Sequence, residues 1–154
     1  MQHIKNSQKP SIVIGKTDHV RLNNIAAAAA DRFPEISESL SFELDRARVV
    51  ADGSVPGNVV RMGSVVTYRT DADDQRTITL VYPGDADISE GKVSILTPIG
   101  TALVGLKTGM AMEWTTRDGR LHKLTPLIVQ YSEQSRSSRD KKEKVLHGWS
   151  DKAS

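Results

Sequence analysis

The chain has 154 residues, with 21 Lys+Arg against 19 Asp+Glu, 38% hydrophobic residues, 5% aromatic residues and no cysteine. A chain of this size buries roughly two-thirds of the surface that its unfolded form exposes, enough for one or two small domains without covalent staples. Without cysteine there is no disulfide framework, no cysteine-ligated zinc or iron–sulfur centre and no thiol nucleophile. The longest apolar stretch near the N-terminus, residues 25–30, is too short and too Ala-rich for a signal peptide or a membrane span, so a cytoplasmic protein is expected.

The net charge of +2 is better read by region. Residues 132–154 hold six basic side chains (Arg136, Arg139, Lys141, Lys142, Lys144 and Lys152) against four acids, and subtracting them leaves 15 of each sign in residues 1–131. The body is neutral and the basic excess belongs to the tail, which argues against sequence-specific DNA binding.

Residues 1–16 combine polar residues, Pro10 and a short Ile12-Val13-Ile14 run, and read as an extended lead-in. From Thr17 or Asp18, either of them a suitable N-cap, Leu22, Ile25, Ala26, Ala29 and Phe33 recur along one helical face. Pro34 ends this helix and opens the next, because proline disfavours helical geometry in the residue before it yet suits a first helical turn. Ile36, Leu40, Leu44 and Ala47 form the apolar stripe of the second helix, with Glu43/Arg46 and Asp45/Arg48 as i,i+3 pairs on its solvent side. Two helices joined so closely must run antiparallel, so residues 17–51 read as a short helical hairpin with its tip at residues 31–35.

The Gly/Pro-rich segment 52–59 is expected to be a linker. Beyond it the period falls to two. Val66 and Tyr68 share one strand face, the Asp71-Ala72-Asp73-Asp74 turn follows, and Ile78, Leu80 and Tyr82 share the face of a second strand. Residues 92–96 are a third strand, Met110, Met112 and Trp114 mark a fourth, and the Asp118-Gly119 turn leads into a fifth over residues 121–131. Pro126 must make a bulge in that fifth strand or confine it to an edge. Residues 98–105 are long enough for one or two helical turns across the sheet. The fold class is therefore α+β: a short N-terminal antiparallel helical hairpin, then an antiparallel sheet domain with a short helix over residues 60–131. Residues 132–154 are Ser- and Lys-rich and are expected to be disordered.

Little in these residues points to catalysis. His3, His19, His122 and His147 lie in four separate regions and read as solvated polar residues rather than as bases beside a nucleophile. Gly100 and Gly105 have the separation of a phosphate-binding loop, but Leu106 intervenes before Lys107-Thr108, so the lysine is misplaced for the outer phosphates. The acidic groups Asp71/Asp73 and Asp85/Asp87/Glu90 lack the glycine and full ligand spacing of a calcium loop and read as turn formers. No metal or cofactor site is expected. The tip is different, because Asp31, Arg32, Phe33 and Glu35 stand at the end of a projecting arm. They either meet a partner or merely finish the helices, Glu35 offsetting the dipole of the second helix and Phe33 stapling the two ends.

The helical hairpin, followed by Thr97-Pro98-Ile99-Gly100-Thr101-Ala102-Leu103-Val104-Gly105-Leu106-Lys107-Thr108-Gly109, resembles the Gre family of transcription elongation factors and, within it, the Rnk group. Glu43-Leu44-Asp45-Arg46-Ala47 and Thr79-Leu80-Val81-Tyr82-Pro83 are similar to the same group, so the resemblance spans about residues 11–131. It implies an FKBP-like C-terminal domain that docks at the rim of the RNA polymerase secondary channel, with Thr97, Pro98, Ile99, Gly100, Leu103 and Gly105 in the docking loop. It also implies an arm directed into the channel. Gre cleavage factors resemble this plan with a longer coiled coil whose tip carboxylates help to hold a catalytic Mg²⁺ ion. Helices of about 14 residues give an arm of roughly 20 Å, so polymerase binding in competition with Gre factors is expected without stimulated transcript cleavage. Asp31 and Glu35 do not reproduce the adjacent acidic pair of the cleavage factors, and Met110 stands where the family motif continues Gly-Asp. The Rnk resemblance further implies an influence on nucleoside diphosphate kinase, directly as a partner or indirectly through transcription. A monomeric, non-enzymatic protein is expected. An FKBP-like fold makes prolyl isomerase activity an alternative, but such a pocket needs clustered aromatics, and the whole chain has two Trp, three Tyr and two Phe.

Overall fold

The structure, a computed structural model, describes residues 10–115 and 118–131. The expectations for residues 1–9 and 132–154, which include His3 and His147, lie outside the described residues.

The lead-in forms β1 (Val13–Gly15), which pairs in parallel with β2 (Arg48–Val50). Between them run α1 (Lys16–Ala29) and α2 (Pro34–Arg46). Leu22, Ala26 and Ala29 of α1 and Leu40 and Leu44 of α2 are buried, as their spacing requires. Ser37 Oγ, near the start of α2, donates to the Ala26 carbonyl near the end of α1 at 2.7 Å. At the opposite end of the pair, His19 Nε2 lies 3.0 Å from the Leu44 carbonyl oxygen. A carbonyl only accepts, so Nε2 carries the proton there. His19 is thus a half-buried cross-helix tie and not a solvated side chain.

Two details of the helices differ from expectation. The first helix begins at Lys16 with Gly15 as its N-cap, because β1 carries the chain up to the first turn. Neither Thr17 nor Asp18 caps it. Instead, the Thr17 backbone N–H and hydroxyl donate to the two Asp52 carboxylate oxygens at 2.9 and 2.6 Å, a cap delivered from 35 residues away. Asp52→Ala should therefore cost about 1 kcal/mol in a urea titration, the usual value of a lost cap. An unchanged unfolding midpoint would contradict that role. Second, Glu43 does not face solvent: it is only 4% exposed. Its Oε1 accepts from Arg46 Nε at 2.8 Å, and Arg46 also donates to the Pro10 carbonyl at 2.7 Å, pinning the lead-in to α2. Arg48 has left the helix for β2, so it does not share a helical face with Asp45.

The sheet is built from β3 (Val65–Thr70), β4 (Gln75–Val81), β5 (Lys92–Ser94), β6 (Met112–Thr115) and β7 (Leu121–Gln130), in the order β5-β4-β3-β7-β6. Val66, Tyr68, Leu80, Met112 and Leu124 turn to the core. Burial pushes the Tyr68 hydroxyl above its ordinary pKa, with nearby Arg76 opposing. The sheet is not wholly antiparallel, since β4 and β5 pair in parallel. The connection over residues 82–91 includes two 3₁₀ turns, Pro83–Asp85 and Ile88–Glu90, and brings the chain back beside Thr79, so that β5 runs along the last three residues of β4. Asp87 caps the second of these turns, and hydrogen bonding from the Ser89 side chain, with smaller backbone and Lys92 contributions against some desolvation, holds its carboxyl below the usual range. In β7, Thr67 of β3 pairs with Ile128 and Tyr68 with Pro126, so Leu127 is the extra residue of a bulge where proline has no N–H to give.

Helix α3 (Pro98–Leu103) follows β5. One hydrophobic cluster unites Leu22, Leu40 and Leu44 of the helix pair with Leu80, Leu103 and Leu124 of the sheet and its crossing helix. In the segment expected to be a linker, Val55 and Val59 are buried, and Val59 forms a bridge with Lys107. Among the described residues no helix is long and apolar enough to cross a membrane.

Candidate docking loop and arm tip

The loop after β5 is held by its own side chains. Thr97 Oγ1 accepts from the Gly100 N–H at 3.0 Å and donates to the Ser94 carbonyl at 2.8 Å, which caps α3 and ties its start to the strand. Pro98 occupies the first turn, where a missing N–H has no cost. Thr101 Oγ1 donates to the Ile95 carbonyl at 3.0 Å. Gly100 is required by close approach, because a Cβ there would overlap the Ser94 carbonyl oxygen and lie 2.9 Å from Ile95 Cα.

These contacts divide the six loop residues. Pro98 is exposed, Thr97 and Ile99 are half-buried, and Gly100, Leu103 and Gly105 are buried. The last three shape the loop from within and offer no surface to a partner. Gly105 marks the junction of three segments, its carbonyl accepting from the Val13 N–H at 3.0 Å and its N–H donating to the Val60 carbonyl at 2.9 Å. Helix α2 packs against α3, so the root of the arm and the loop share one support.

Asp31, Arg32, Phe33 and Glu35 gather at the turn between α1 and α2, and all four are exposed. The turn is closed by the Phe33 N–H on the Ala29 carbonyl at 2.8 Å. Phe33 is 48% exposed and stands apart from the hydrophobic cluster, with the Arg32 guanidinium 5.9 Å from its ring centre. Through its bond to Val13, Gly105 places the C-terminal end of the loop beside β1, at the root of the helix pair. Among the described residues no group of three or more His, Asp or Glu side chains is placed to hold a metal ion. His122 stacks on Trp114 across β6 and β7, with ring centres 5.4 Å apart.

A third constellation had no counterpart in the linear reading. Asp18, 3% exposed, accepts from the Tyr82 hydroxyl at 2.8 Å across 64 residues of sequence, and the Arg21 guanidinium lies 4.1 Å from the centre of the Tyr82 ring. The available signal was a carboxylate on the buried stripe of α1, at i−4 from Leu22.

Comparison with known proteins gives these features a family. Residues 55–131 match the model described as "Transcription elongation factor, GreA/GreB, C-term", and residues 10–50 match "Rnk N-terminus". The chain is 32% identical over 128 residues to the Escherichia coli K12 protein named "Regulator of nucleoside diphosphate kinase", covering 82% of this chain and 94% of that one. It is 32% identical over 115 residues to the Hyphomonas neptunium transcription elongation factor GreA, covering 69% of this chain and 73% of the relative. Among solved structures, a GreA/GreB transcription elongation factor from Nitrosomonas europaea superposes with a TM-score of 0.63 at 38% identity, covering 80% of this chain and all of that one. The chain therefore belongs to the GreA/GreB transcription elongation factor family, with an N-terminus of the Rnk type.

Proposed function

We propose that the protein is a non-enzymatic transcription regulator that binds bacterial RNA polymerase at the rim of the secondary channel. The exposed part of the loop, Pro98 with Thr97 and Ile99, is the docking element, carried on an FKBP-like domain over residues 60–131. The helix pair over residues 17–51 is a short antiparallel arm that occupies the channel entrance. The protein acts there as a monomer in the cytoplasm and excludes Gre cleavage factors without stimulating transcript cleavage.

The observation that carries this reading is the length and chemistry of the arm. Helix α1 has 14 residues, and at 1.5 Å per residue it reaches only about 21 Å. At the tip, Arg32 stands in sequence between Asp31 and Glu35, and a cation there opposes the binding of a divalent metal ion. The arm is thus suited to filling an entrance rather than to delivering a metal to a distant active centre. The nucleoside diphosphate kinase named in the Escherichia coli relative is reached, in this reading, through transcription.

The interface is tested with a Pro98→Ala/Asp31→Lys/Glu35→Lys variant and purified bacterial RNA polymerase. All three positions are exposed, so the fold should be kept. An affinity loss of at least about ten-fold is expected, equivalent to roughly 1.4 kcal/mol. Unchanged affinity would show that the interface lies elsewhere. Co-purification with nucleoside diphosphate kinase in the absence of polymerase would instead favour direct kinase binding.

A further inference from the structure

Asp18, Arg21 and Tyr82 lie at the root of the arm, and the family reading gives them no role. Asp18 is the third residue of α1, at the end far from the tip, while Tyr82 immediately follows β4 at the end of the sheet's second strand. The Tyr82 hydroxyl donates to Asp18 Oδ1 at 2.8 Å, and the guanidinium of the exposed Arg21 lies over the ring, 4.1 Å from its centre. One aromatic side chain of the sheet domain is thereby gripped by two successive turns of the arm's first helix.

We propose that these three residues form an orientation latch that fixes the direction in which the arm projects from the sheet domain. The physical argument begins with burial. Taking a carboxylate out of water is costly, and apolar side chains of similar volume commonly fill such a space at least as stably. What they cannot supply is direction, since apolar packing is non-directional. A phenol–carboxylate hydrogen bond narrows both distance and angle, and a guanidinium over the ring adds a second constraint at the ring face. The leverage is large, because a tilt of roughly 10° at Asp18 moves the far end of α1 by about 3 Å at 1.5 Å rise per residue. Asp18, Arg21 and Tyr82 are therefore positioning residues. They act on polymerase through the arm, and their role rests on the polymerase-binding reading above.

The chain has no cysteine, so a nitroxide pair can be introduced uniquely at Ala30→Cys and Gln75→Cys, exposed positions on the arm and on β4. Pulsed electron resonance on the free protein should give one narrow distance distribution. Tyr82→Phe and Asp18→Leu should broaden it about two-fold or more, since each removes the directional bond. Asp18→Asn should restore the narrow distribution, its amide oxygen accepting from Tyr82. Arg21→Gln, at an exposed position where folding is not at stake, should broaden it to a smaller extent. Ser37→Ala, which removes a buried hydrogen bond within the helix pair, should change stability without changing the width. A Tyr82→Phe or Arg21→Gln distribution identical to that of the parent overturns the latch, as does a broad parent distribution.

Unlabelled variants are then competed against a Gre cleavage factor for polymerase. If the entry-competent direction falls to about a tenth of the population, competition weakens about ten-fold. Broadened variants that compete like the parent would overturn the functional half of the proposal. A parent protein that does not bind polymerase at all would overturn the polymerase reading, while the distances on the free protein would still decide the latch.

Discussion

Gly105→Ala should destabilise the protein by about 3 kcal/mol, combining the cost of left-handed backbone for an L-residue with that of overpacking. Gly105 has φ +81°, and a Cβ there would lie 2.9 Å from Ile12 Cβ and 3.1 Å from the Val13 carbonyl oxygen. Neither neighbour can move freely. Ile12 is a core residue, and the Val13 N–H bonds to the Gly105 carbonyl itself. The comparison that isolates the clash is Gly109→Ala, at φ +86° with nothing within 4 Å of its added Cβ. That variant should lose only about 1–2 kcal/mol, the conformational part. Urea titrations of the pair should differ by at least about 1 kcal/mol, in line with the overpacking range. Equal losses would mean that the junction of lead-in, linker and loop is looser than described.

Leu44→Ala should cost about 3 kcal/mol, within the range for emptying a buried leucine site. Leu44 is 1% exposed, and it belongs to the cluster that joins the helix pair to the sheet. Its carbonyl also takes the His19 contact, so relaxation of the site is restrained from the backbone side. Two residues earlier on the same helix, Phe42 is 43% exposed. Phe42→Ala should lose at least about 1 kcal/mol less than Leu44→Ala despite removing more atoms, because the exposed part of the ring gives up no packing. Thermal or urea unfolding of the two variants checks the orientation of α2, and the reverse order of effects would place the apolar stripe on the wrong face.

The contrast between these residues explains what was legible in the sequence. Leu22, Ala26, Leu40 and Leu44 advertise their burial by helical spacing, and Val66 and Tyr68 do so by alternation. Pro34 announces a helix boundary and Pro126 a bulge or an edge position, because proline's effect on the backbone is local. What the linear reading misses is non-local or set by chain path. The three-residue pairing of Val13–Gly15 with Arg48–Val50 is too short to show a period. The parallel pairing of β4 with β5 depends on the route taken by residues 82–91. Asp52 caps a helix from 35 residues away, and Asp18 meets Tyr82 across 64.

The candidate site was legible as a motif but not as a surface. Thr97, Pro98 and Ile99 retain accessible area, whereas Leu103 is buried and close packing at Gly100 and Gly105 leaves no room for a Cβ. A motif of glycines and a buried leucine marks a built loop. Which of its members reach outward is decided by the strand and helix packed behind it.

The most direct test of the central claim is competition between this protein and a Gre cleavage factor for purified bacterial RNA polymerase, scored in the same reactions for cleavage of a backtracked transcript. The account predicts that the protein displaces the cleavage factor, lowers transcript cleavage as its concentration rises, and stimulates none by itself. Failure to displace the factor, or cleavage stimulated by this protein alone, would contradict it.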